Sequence, residues 1–204
     1  MRLIGLTGGI ATGKTTVARL LAARGAAIVD ADELAHLAEA PGQPALADIV
    51  QRFGREVLRP DGTLDRERLG AIVFADAAAR RDLEAITHPR ISAMVAERVA
   101  AALAGEAQLV VVDVPLLFEG NRQSQFEGTL LVYAPVAVQI ARLAERNGLD
   151  EPAARQRLSA QLPIDDKRAR ATWVIDNSGS EEATADEVAR WWDRVVSDPA
   201  RGAA

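Results

Sequence analysis

The sequence contains no cysteine, and this absence excludes several classes of chemistry. Without thiols the chain cannot form a disulfide scaffold, bind zinc or an iron–sulfur cluster through cysteine, or use a thiol nucleophile. Only two histidines are present, so a histidine-rich metal site is not expected. Aromatic residues make up 4% of the chain. A buried core must therefore consist mainly of alanine, leucine, valine and isoleucine.

An excess of basic residues and long apolar runs are also missing. The 204 residues include 24 basic and 29 acidic side chains, a net charge of −5, so the chain lacks the basic character of a general nucleic-acid-binding protein. No apolar run approaches the roughly 20 residues of a membrane span, and the run near the N-terminus is too short for a signal peptide. We therefore expect a cytoplasmic protein with neither nucleic acid nor membrane as a partner. A monomer is also expected, although nothing in the sequence determines the oligomeric state.

Apolar residues make up 49% of the chain, which is enough for the core of one domain. Short apolar runs that end at glycine, proline or aspartate predict five buried strands, with helical patterns between them. This alternation is typical of an α/β protein with a parallel sheet covered on both faces. The strands are predicted at residues 3–6, 26–29, 109–112, 129–133 and 173–175.

Two segments differ from this alternation of strands and helices. Residues 33–105 have helical patterns and no good strand pattern, which predicts a helical insertion between two strands of one sheet. Within it, His88 and Pro89 are expected to interrupt a long helix at about residues 76–104, because proline breaks or kinks a helix. Residues 149–170 are too charged to be core and are expected to form a helical flap.

Lysine is almost absent, because Lys14 and Lys167 are the only two among 24 basic residues and the other 22 are arginine. Lys14 belongs to the pattern G-x-x-x-x-G-K-[ST] at residues 8–15, between a predicted strand and a predicted helix, which is the context of a phosphate-binding P-loop. In such a loop the backbone amides and the helix N-terminus face phosphate oxygens. The predicted nucleotide-binding residues are Gly8, Gly9, Ala11, Thr12, Gly13, Lys14, Thr15 and Thr16.

The loop also predicts a site for Mg²⁺ beside the nucleotide. The hydroxyl of Thr15 is the expected protein ligand, and Asp32 or Asp113 could hold the ion through water. Asp113 follows an apolar strand, where it could equally belong to a strand-end turn.

Ala11 is tolerable in the P-loop only if its backbone needs no positive φ.

Two aspartates follow the second predicted strand, at the edge of a parallel sheet where ligands bind. Asp30 and Asp32 are two residues apart, so they share a face of extended backbone. Either carboxylate could accept or orient the proton of an attacking hydroxyl, because phosphoryl transfer depends mainly on positioning. Capping of the next helix is the alternative for both residues. We expect Asp32 to carry the acceptor role.

Arg142 and Arg146 lie four residues apart on one predicted helix and therefore face the same way. Such a pair could clamp a transferring phosphoryl group, and a solvated helix face is the alternative. His88 is either a structural residue at its proline break or a contact of the bound substrate.

Several short motifs follow one another along the chain in a fixed order. They are Gly5-Leu6-Thr7-Gly8-Gly9-Ile10, Asp30-Ala31-Asp32, Phe53-Gly54, Asp61-Gly62-Thr63-Leu64-Asp65-Arg66, His88-Pro89, Asp113-Val114-Pro115-Leu116-Leu117-Phe118-Glu119 and Ile175-Asp176-Asn177-Ser178-Gly179. Taken together, these motifs resemble the dephospho-CoA kinase family over about residues 5–179. The family's P-loop usually has Gly-Ser-Gly-Lys-Ser-Thr where this chain has Ala-Thr-Gly-Lys-Thr-Thr, and residues 120–126 follow no family pattern.

The resemblance implies a P-loop kinase fold like that of nucleoside monophosphate kinases, in one domain spanning residues 1–204. This fold has a five-stranded parallel core, a helical acceptor-binding insertion at about 33–105 and a helical lid at about 142–170. The core would comprise about residues 1–32, 106–141 and 171–204. The implied reaction is the last step of coenzyme A synthesis, in which Mg-ATP phosphorylates the ribose 3′-hydroxyl of dephospho-CoA.

The resemblance also implies roles for individual residues. Asp32 would act on the acceptor hydroxyl, with Lys14 and Arg146 as the catalytic cations. Arg142 and Asn177 would lie near the nucleotide. The acceptor would be bound by Asp32, His88, Pro115, Leu116, Leu117 and Glu119.

Three other functions fit parts of the sequence. A kinase of another acceptor, such as a nucleoside monophosphate or shikimate, would share the P-loop. A nucleotide-controlled switch would usually carry an Asn-Lys-x-Asp motif, which the chain lacks. A non-catalytic nucleotide-binding module is disfavoured because Lys14, Thr15 and a strand-end aspartate are all present.

Overall fold

The computed structural model describes residues 2–105 and 107–197, and it divides into two compact units. One unit comprises Met1–Val29 and Ala102–Ala204, and the other comprises Asp30–Ala101. The five strands are β1 (Arg2–Gly8), β2 (Ala26–Asp30), β3 (Leu109–Asp113), β4 (Gly128–Tyr133) and β5 (Trp173–Asp176). The helices are α1 (Lys14–Ala22), α2 (Ala31–Ala38), α3 (Pro44–Phe53), α4 (Arg66–Ala75), α5 (Ala77–Ala104), α6 (Val136–Asn147), α7 (Glu151–Ser159), α8 (Ile164–Arg170) and α9 (Glu181–Trp192).

The strands form one parallel sheet in the order β2-β3-β1-β4-β5, which confirms the expected α/β fold with five parallel strands. β1 lies in the middle of this order, with Leu6 opposite Asp113 on β3 and Gly8 opposite Val132 on β4. The carboxyl ends of β1, β3 and β4 therefore lie side by side. This is the edge at which parallel α/β proteins bind ligands.

Alternate residues of the strands point to opposite faces, and each face is covered by helices. On one face, Ile4 and Leu6 of β1 pack with Leu21 of α1 and Trp191 of α9. On the other, residues of β4 pack with Ile164 of α8. Burial on both faces explains why these strands are continuously apolar in the sequence.

The charged stretch that was expected to stay out of the core contributes to it at α8. Ile164 is 5% exposed and Lys167 is 0% exposed. The stretch also consists of two helices, α7 and α8, with a turn between them. The expectation was wrong at these positions because Ile164 and Lys167 are three residues apart on α8 and both face inward, and Glu119 compensates the charge of Lys167.

The second unit is helical, as expected for an insertion, and among its described residues the only β pairing is one bridge between Leu58 and Leu64. Its core includes Leu46, Ile49 and Phe53, which follow the helical spacing of α3. The expectation that the helix is interrupted at Pro89 is wrong, because α5 continues through that residue, whereas the alternative of a kink there stays a prediction. Across the described residues, no helix has the length and apolar character needed to span a membrane.

Candidate active site

The P-loop connects β1 to α1 at the ligand-binding edge of the sheet. Gly13 is the N-cap of α1 with φ +86°, and no side chain caps the first turn of this helix. The first amide groups of α1 are therefore left to an external acceptor, and the positive end of the helix dipole adds to the attraction of an anion. Thr12 is buried, and its hydroxyl donates to the carbonyl of Gly9 (2.9 Å), which closes the loop on itself.

Lys14 forms an ion pair with Asp113, the last residue of β3. The side chains of Lys14 and Asp113 are 18% and 6% exposed, so water screens this pair only weakly. The carboxylate holds the ammonium group at the carboxyl end of the sheet. A nucleotide phosphate would offer the same ammonium a second anionic partner.

Ala11 has φ +60°, a backbone conformation that alanine rarely adopts. Alanine was expected to be tolerable at this position only if its backbone needs no positive φ, and the structure does not meet that condition. A left-handed conformation costs an L-residue about 1–2 kcal/mol relative to its usual regions. The loop takes this conformation although its sequence lacks the glycine that the family usually has at this position.

Asn177 and Arg142 support the loop through its carbonyl groups. The side-chain amide of Asn177 donates to the carbonyl of Thr12 (2.7 Å) and accepts from the hydroxyl of Thr184 (2.7 Å). The guanidinium of Arg142 donates to the carbonyls of Ala11 (3.3 Å), Thr12 (3.3 Å) and Asn177 (2.7 Å). Both residues thus hold the backbone of the P-loop in place.

Arg146 has a different environment from Arg142, one turn earlier on α6. It is exposed, and its recorded hydrogen bond is to the side chain of the neighbouring Asn147 (3.0 Å). Both arginines line a cavity of about 550 Å³, together with Ala11, Gly13 and Asn177. This cavity adjoins the phosphate loop and is large enough for part of a nucleotide.

The segment after β3 exposes only some of the residues expected to bind the acceptor. Leu116 is 50% exposed, whereas Leu117 is fully buried. The carbonyl of Pro115 accepts a hydrogen bond from the hydroxyl of Thr7 (3.1 Å). Glu119 forms an ion pair with Lys167 (2.7 Å), so its carboxylate already has a partner within the protein.

The two strand-end aspartates have different roles in the second unit. Asp30 caps α2, because its Oδ1 atom accepts from the amides of Asp32 (2.9 Å) and Glu33 (3.0 Å). Asp32 is exposed, and its carboxylate has no recorded hydrogen bond or ion pair among residues 2–105 and 107–197. His88 is also exposed, on α5. Capping therefore accounts for the carboxylate of Asp30 but not for that of Asp32.

The residues near the loop suit Mg²⁺, which prefers a few oxygen ligands in addition to those of a bound phosphate. Thr15 is exposed at the start of α1 and has no recorded side-chain hydrogen bond within the described part of the chain. No cluster of three or more His, Asp or Glu side chains suited to a metal occurs among the described residues.

The chain is similar to known proteins over nearly its whole length. Residues 2–183 match the family model described as dephospho-CoA kinase. A dephospho-CoA kinase of Anaeromyxobacter dehalogenans is 52% identical over 97% of this chain and 92% of its own. A solved Thermus thermophilus protein shares 36% identity with a TM-score of 0.81, covering 93% of this chain and 95% of its own. The dephospho-CoA kinase of Campylobacter jejuni shares 26% identity with a TM-score of 0.72, covering 97% and 98%.

This chain belongs to the dephospho-CoA kinase family. Membership confirms the resemblance seen in the sequence and the expectation that the protein is an ATP-dependent kinase.

Two residues of the site were not identified from the sequence. Gln161 follows α7, and its side chain accepts a hydrogen bond from the amide of Ile10 in the P-loop (2.9 Å). Lys167 is buried on α8, and its ammonium group lies 3.4 Å from the carbonyl of Gly8. The scarcity of lysine could have singled out Lys167, but nothing in the local sequence indicates the contact of Gln161.

Tyr133, at the end of β4, lies close to the same helix. Its hydroxyl donates to Oδ1 of Asp165 (3.1 Å), and the guanidinium of Arg168 lies 4.7 Å from the centre of its ring. Burial raises the pKa of Tyr133, and the carboxylate of Asp165 raises it further. The pKa of this tyrosine thus depends on the packing of α8 against the sheet.

Proposed function

We propose that this protein transfers the γ-phosphoryl group of ATP to the ribose 3′-hydroxyl of dephospho-CoA, giving coenzyme A and ADP. The observation that carries the proposal is the complete P-loop, with Lys14 held beside Asp113, in a chain that matches the dephospho-CoA kinase family over residues 2–183. The residue assignments below rest on the environment of each side chain.

ATP is bound by the P-loop and the cavity beside it. The backbone amides of residues 8–16 and the N-terminus of α1 take the phosphates, and Lys14 contacts the outer ones. The cavity lined by Arg142 and Asn177 takes another part of the nucleotide. Mg²⁺, when bound, would neutralise charge on the phosphates, with Thr15 as its ligand and Asp113 or Asp32 acting through water.

The acceptor is activated by Asp32 in this proposal. The 3′-hydroxyl oxygen forms a bond to the γ-phosphorus, and the bond from that phosphorus to the bridging oxygen of ADP breaks. The hydroxyl proton passes to the Asp32 carboxylate, which is exposed and does not cap a helix. An ordinary carboxylate suffices because the transition state is loose and depends on positioning.

Arg146 is the proposed cation for the transferring phosphoryl group. Its guanidinium is exposed and lines the cavity beside the P-loop, whereas that of Arg142 is used on backbone carbonyls. The helical insertion at about residues 33–105 is proposed to bind dephospho-CoA, with His88 and the segment Pro115, Leu116, Leu117 and Glu119 as further contacts. The lid, at about residues 142–170, is proposed to supply Arg142 and Arg146.

An acceptor panel tests this proposal directly. ADP release from Mg-ATP is measured with dephospho-CoA, adenosine, AMP, CMP, shikimate and no acceptor. We expect turnover with dephospho-CoA and none with a derivative that lacks the 3′-hydroxyl. Turnover with a different acceptor would refute the proposed substrate, and ATP binding without transfer would refute the reaction.

A cytoplasmic location and a monomeric state are further proposals. Cell fractionation tests the location, and light scattering tests the oligomeric state.

A further inference from the structure

Lys167 is a fully buried lysine that the proposed reaction does not use. Its ammonium group donates to Oε1 of Glu119 (2.7 Å) and lies 3.4 Å from the carbonyl of Gly8, the first residue of the P-loop motif. Its side chain is 0% exposed and that of Glu119 is 23% exposed. A buried ammonium group is expensive to desolvate, so packing alone would be served better by an apolar side chain.

Two further hydrogen bonds connect the same region. Gln161 accepts from the amide of Ile10 (2.9 Å), and Oε1 of Glu119 accepts from the amide of Leu162 (3.0 Å). We call Glu119, Gln161 and Lys167 the P-loop clasp. The clasp thus holds one carbonyl and one amide of the P-loop, at Gly8 and Ile10.

The clasp acts on the position of the loop more than on its electrostatic field. Glu119 compensates the charge of Lys167 at 2.7 Å, so the pair adds little net positive charge for a nucleotide. What it does supply is a fixed orientation of the peptide groups around Gly8 and Ile10. Amides that already point at the phosphates need no reorganisation when ATP binds.

We propose that Lys167 is a positioning residue for ATP, which orients the P-loop through the Gly8 carbonyl and its ion pair with Glu119. This inference rests on the proposed function, because it assigns ATP phosphates to that loop. It differs from the roles of Lys14 and Arg146, since Lys167 is not required to touch the nucleotide. It also assigns Glu119 to the loop in addition to any contact with dephospho-CoA.

The test compares Lys167→Met, Glu119→Gln and the double variant. Lys167→Met alone leaves the partly buried carboxylate of Glu119 without its cation and is expected to be unstable. The double variant removes both charges, and the glutamine that replaces Glu119 can still accept from the amide of Leu162. Arg155→Met is the matched control, because Arg155 is an exposed cation on α7 whose partner is Glu151.

For the double variant we expect KM for ATP to rise about tenfold to a hundredfold, the effect of losing a charged hydrogen bond that orients the loop. The dissociation constant of a non-hydrolysable ATP analogue should rise by the same factor. KM for dephospho-CoA and kcat are measured as well, but the affinity for the ATP analogue decides the test, because Glu119 is also a proposed contact of dephospho-CoA. Arg155→Met should match the wild type in all four quantities.

Each other outcome has a defined meaning. A folded double variant with unchanged affinity for ATP would show that the pair is only structural and would overturn the inference. If the double variant does not fold, Glu119→Gln alone carries the test, and unchanged affinity for ATP in that variant would overturn the inference. A rise confined to KM for dephospho-CoA would assign Glu119 to the acceptor and overturn the inference. If the wild type binds the ATP analogue more tightly than the double variant does but does not phosphorylate dephospho-CoA, the proposed function fails while the inference stands.

Discussion

The side chain of Asn177 lies directly against Gly13, so that a Cβ atom at position 13 would be 2.0 Å from Asn177 Nδ2. Gly13 also has φ +86°. The same amide nitrogen donates to the carbonyl of Thr12 (2.7 Å), so it cannot move aside without releasing the loop. The P-loop and the loop after β5 therefore form one packed unit.

Gly13→Ala should consequently lose both stability and ATP binding. The matched control is Gly25→Ala, because Gly25 has φ +96° but no atom within 4 Å of its added Cβ. The control should lose only the left-handed strain, about 1–2 kcal/mol. We expect a larger loss of unfolding free energy at Gly13, measured by chemical denaturation, and weaker binding of ATP. Equal losses in the two variants would contradict the contact.

Ala11→Gly should stabilise the protein, because glycine adopts φ +60° without steric strain. Relief of about 1–2 kcal/mol is partly offset by the greater entropy of glycine in the unfolded chain, which leaves a gain of roughly 0.5–1 kcal/mol. Ala96→Gly, at an exposed position in the interior of α5, is the control and should lose about 0.5–1 kcal/mol. Chemical denaturation measures the change in unfolding free energy of both variants. A loss of unfolding free energy in Ala11→Gly would refute backbone strain at position 11.

Asp32→Asn should lower kcat by on the order of 10²–10⁴ and leave ATP binding intact, because only the proton acceptor is lost. Asp30→Asn removes a carboxylate two residues away, but asparagine can still cap α2. This control should turn over like the wild type. Loss of turnover in Asp30→Asn, with Asp32→Asn active, would transfer the acceptor role to Asp30.

Arg146→Met should lose catalytic rate, whereas Arg142→Met should lose stability and affinity for ATP. Arg146 is exposed and bonded only to its neighbour among recorded contacts of the described chain, so its loss should lower kcat by roughly 10² or more without changing stability. Arg142 donates to three carbonyls, and its loss should reduce stability by about 1–3 kcal/mol and raise KM for ATP. Kinetics and denaturation of both variants decide the assignment, and the reverse pattern would exchange the two roles.

Tyr133 is the only tyrosine, so tyrosinate absorbance reports its pKa directly. Because burial and Asp165 raise the folded pKa, its contribution to stability is complete below the unfolded pKa of about 10 and is lost as pH rises through the folded pKa. Asp165→Asn should lower the pKa of Tyr133, because only burial then raises this pKa and Arg168 opposes it. Asp166→Asn, whose carboxylate is not among the causes of the shift, should leave the pKa unchanged.

The P-loop could be predicted from the sequence because each of its elements is local. An apolar strand, a glycine turn and the start of a helix occupy consecutive residues, and Lys14 follows at a spacing that phosphate geometry dictates. The five strands were predictable for a similar reason, since burial on both faces makes a strand continuously apolar. The interruption predicted at Pro89 was wrong, because the local preference of proline against a helix interior does not end α5.

By itself, the sequence determined the fold class, the phosphate loop and the family, because these depend on short-range backbone geometry and on motifs within single segments. Only the tertiary structure decided which side chains share a partner. Lys14 and Asp113 are 99 residues apart, and Ile10 and Gln161 are 151 apart. It also distinguished Asp30 from Asp32 and Arg142 from Arg146. Sheet order and helix packing bring such residues together. A contact between residues so far apart in the chain produces no periodic pattern in the sequence around either of them.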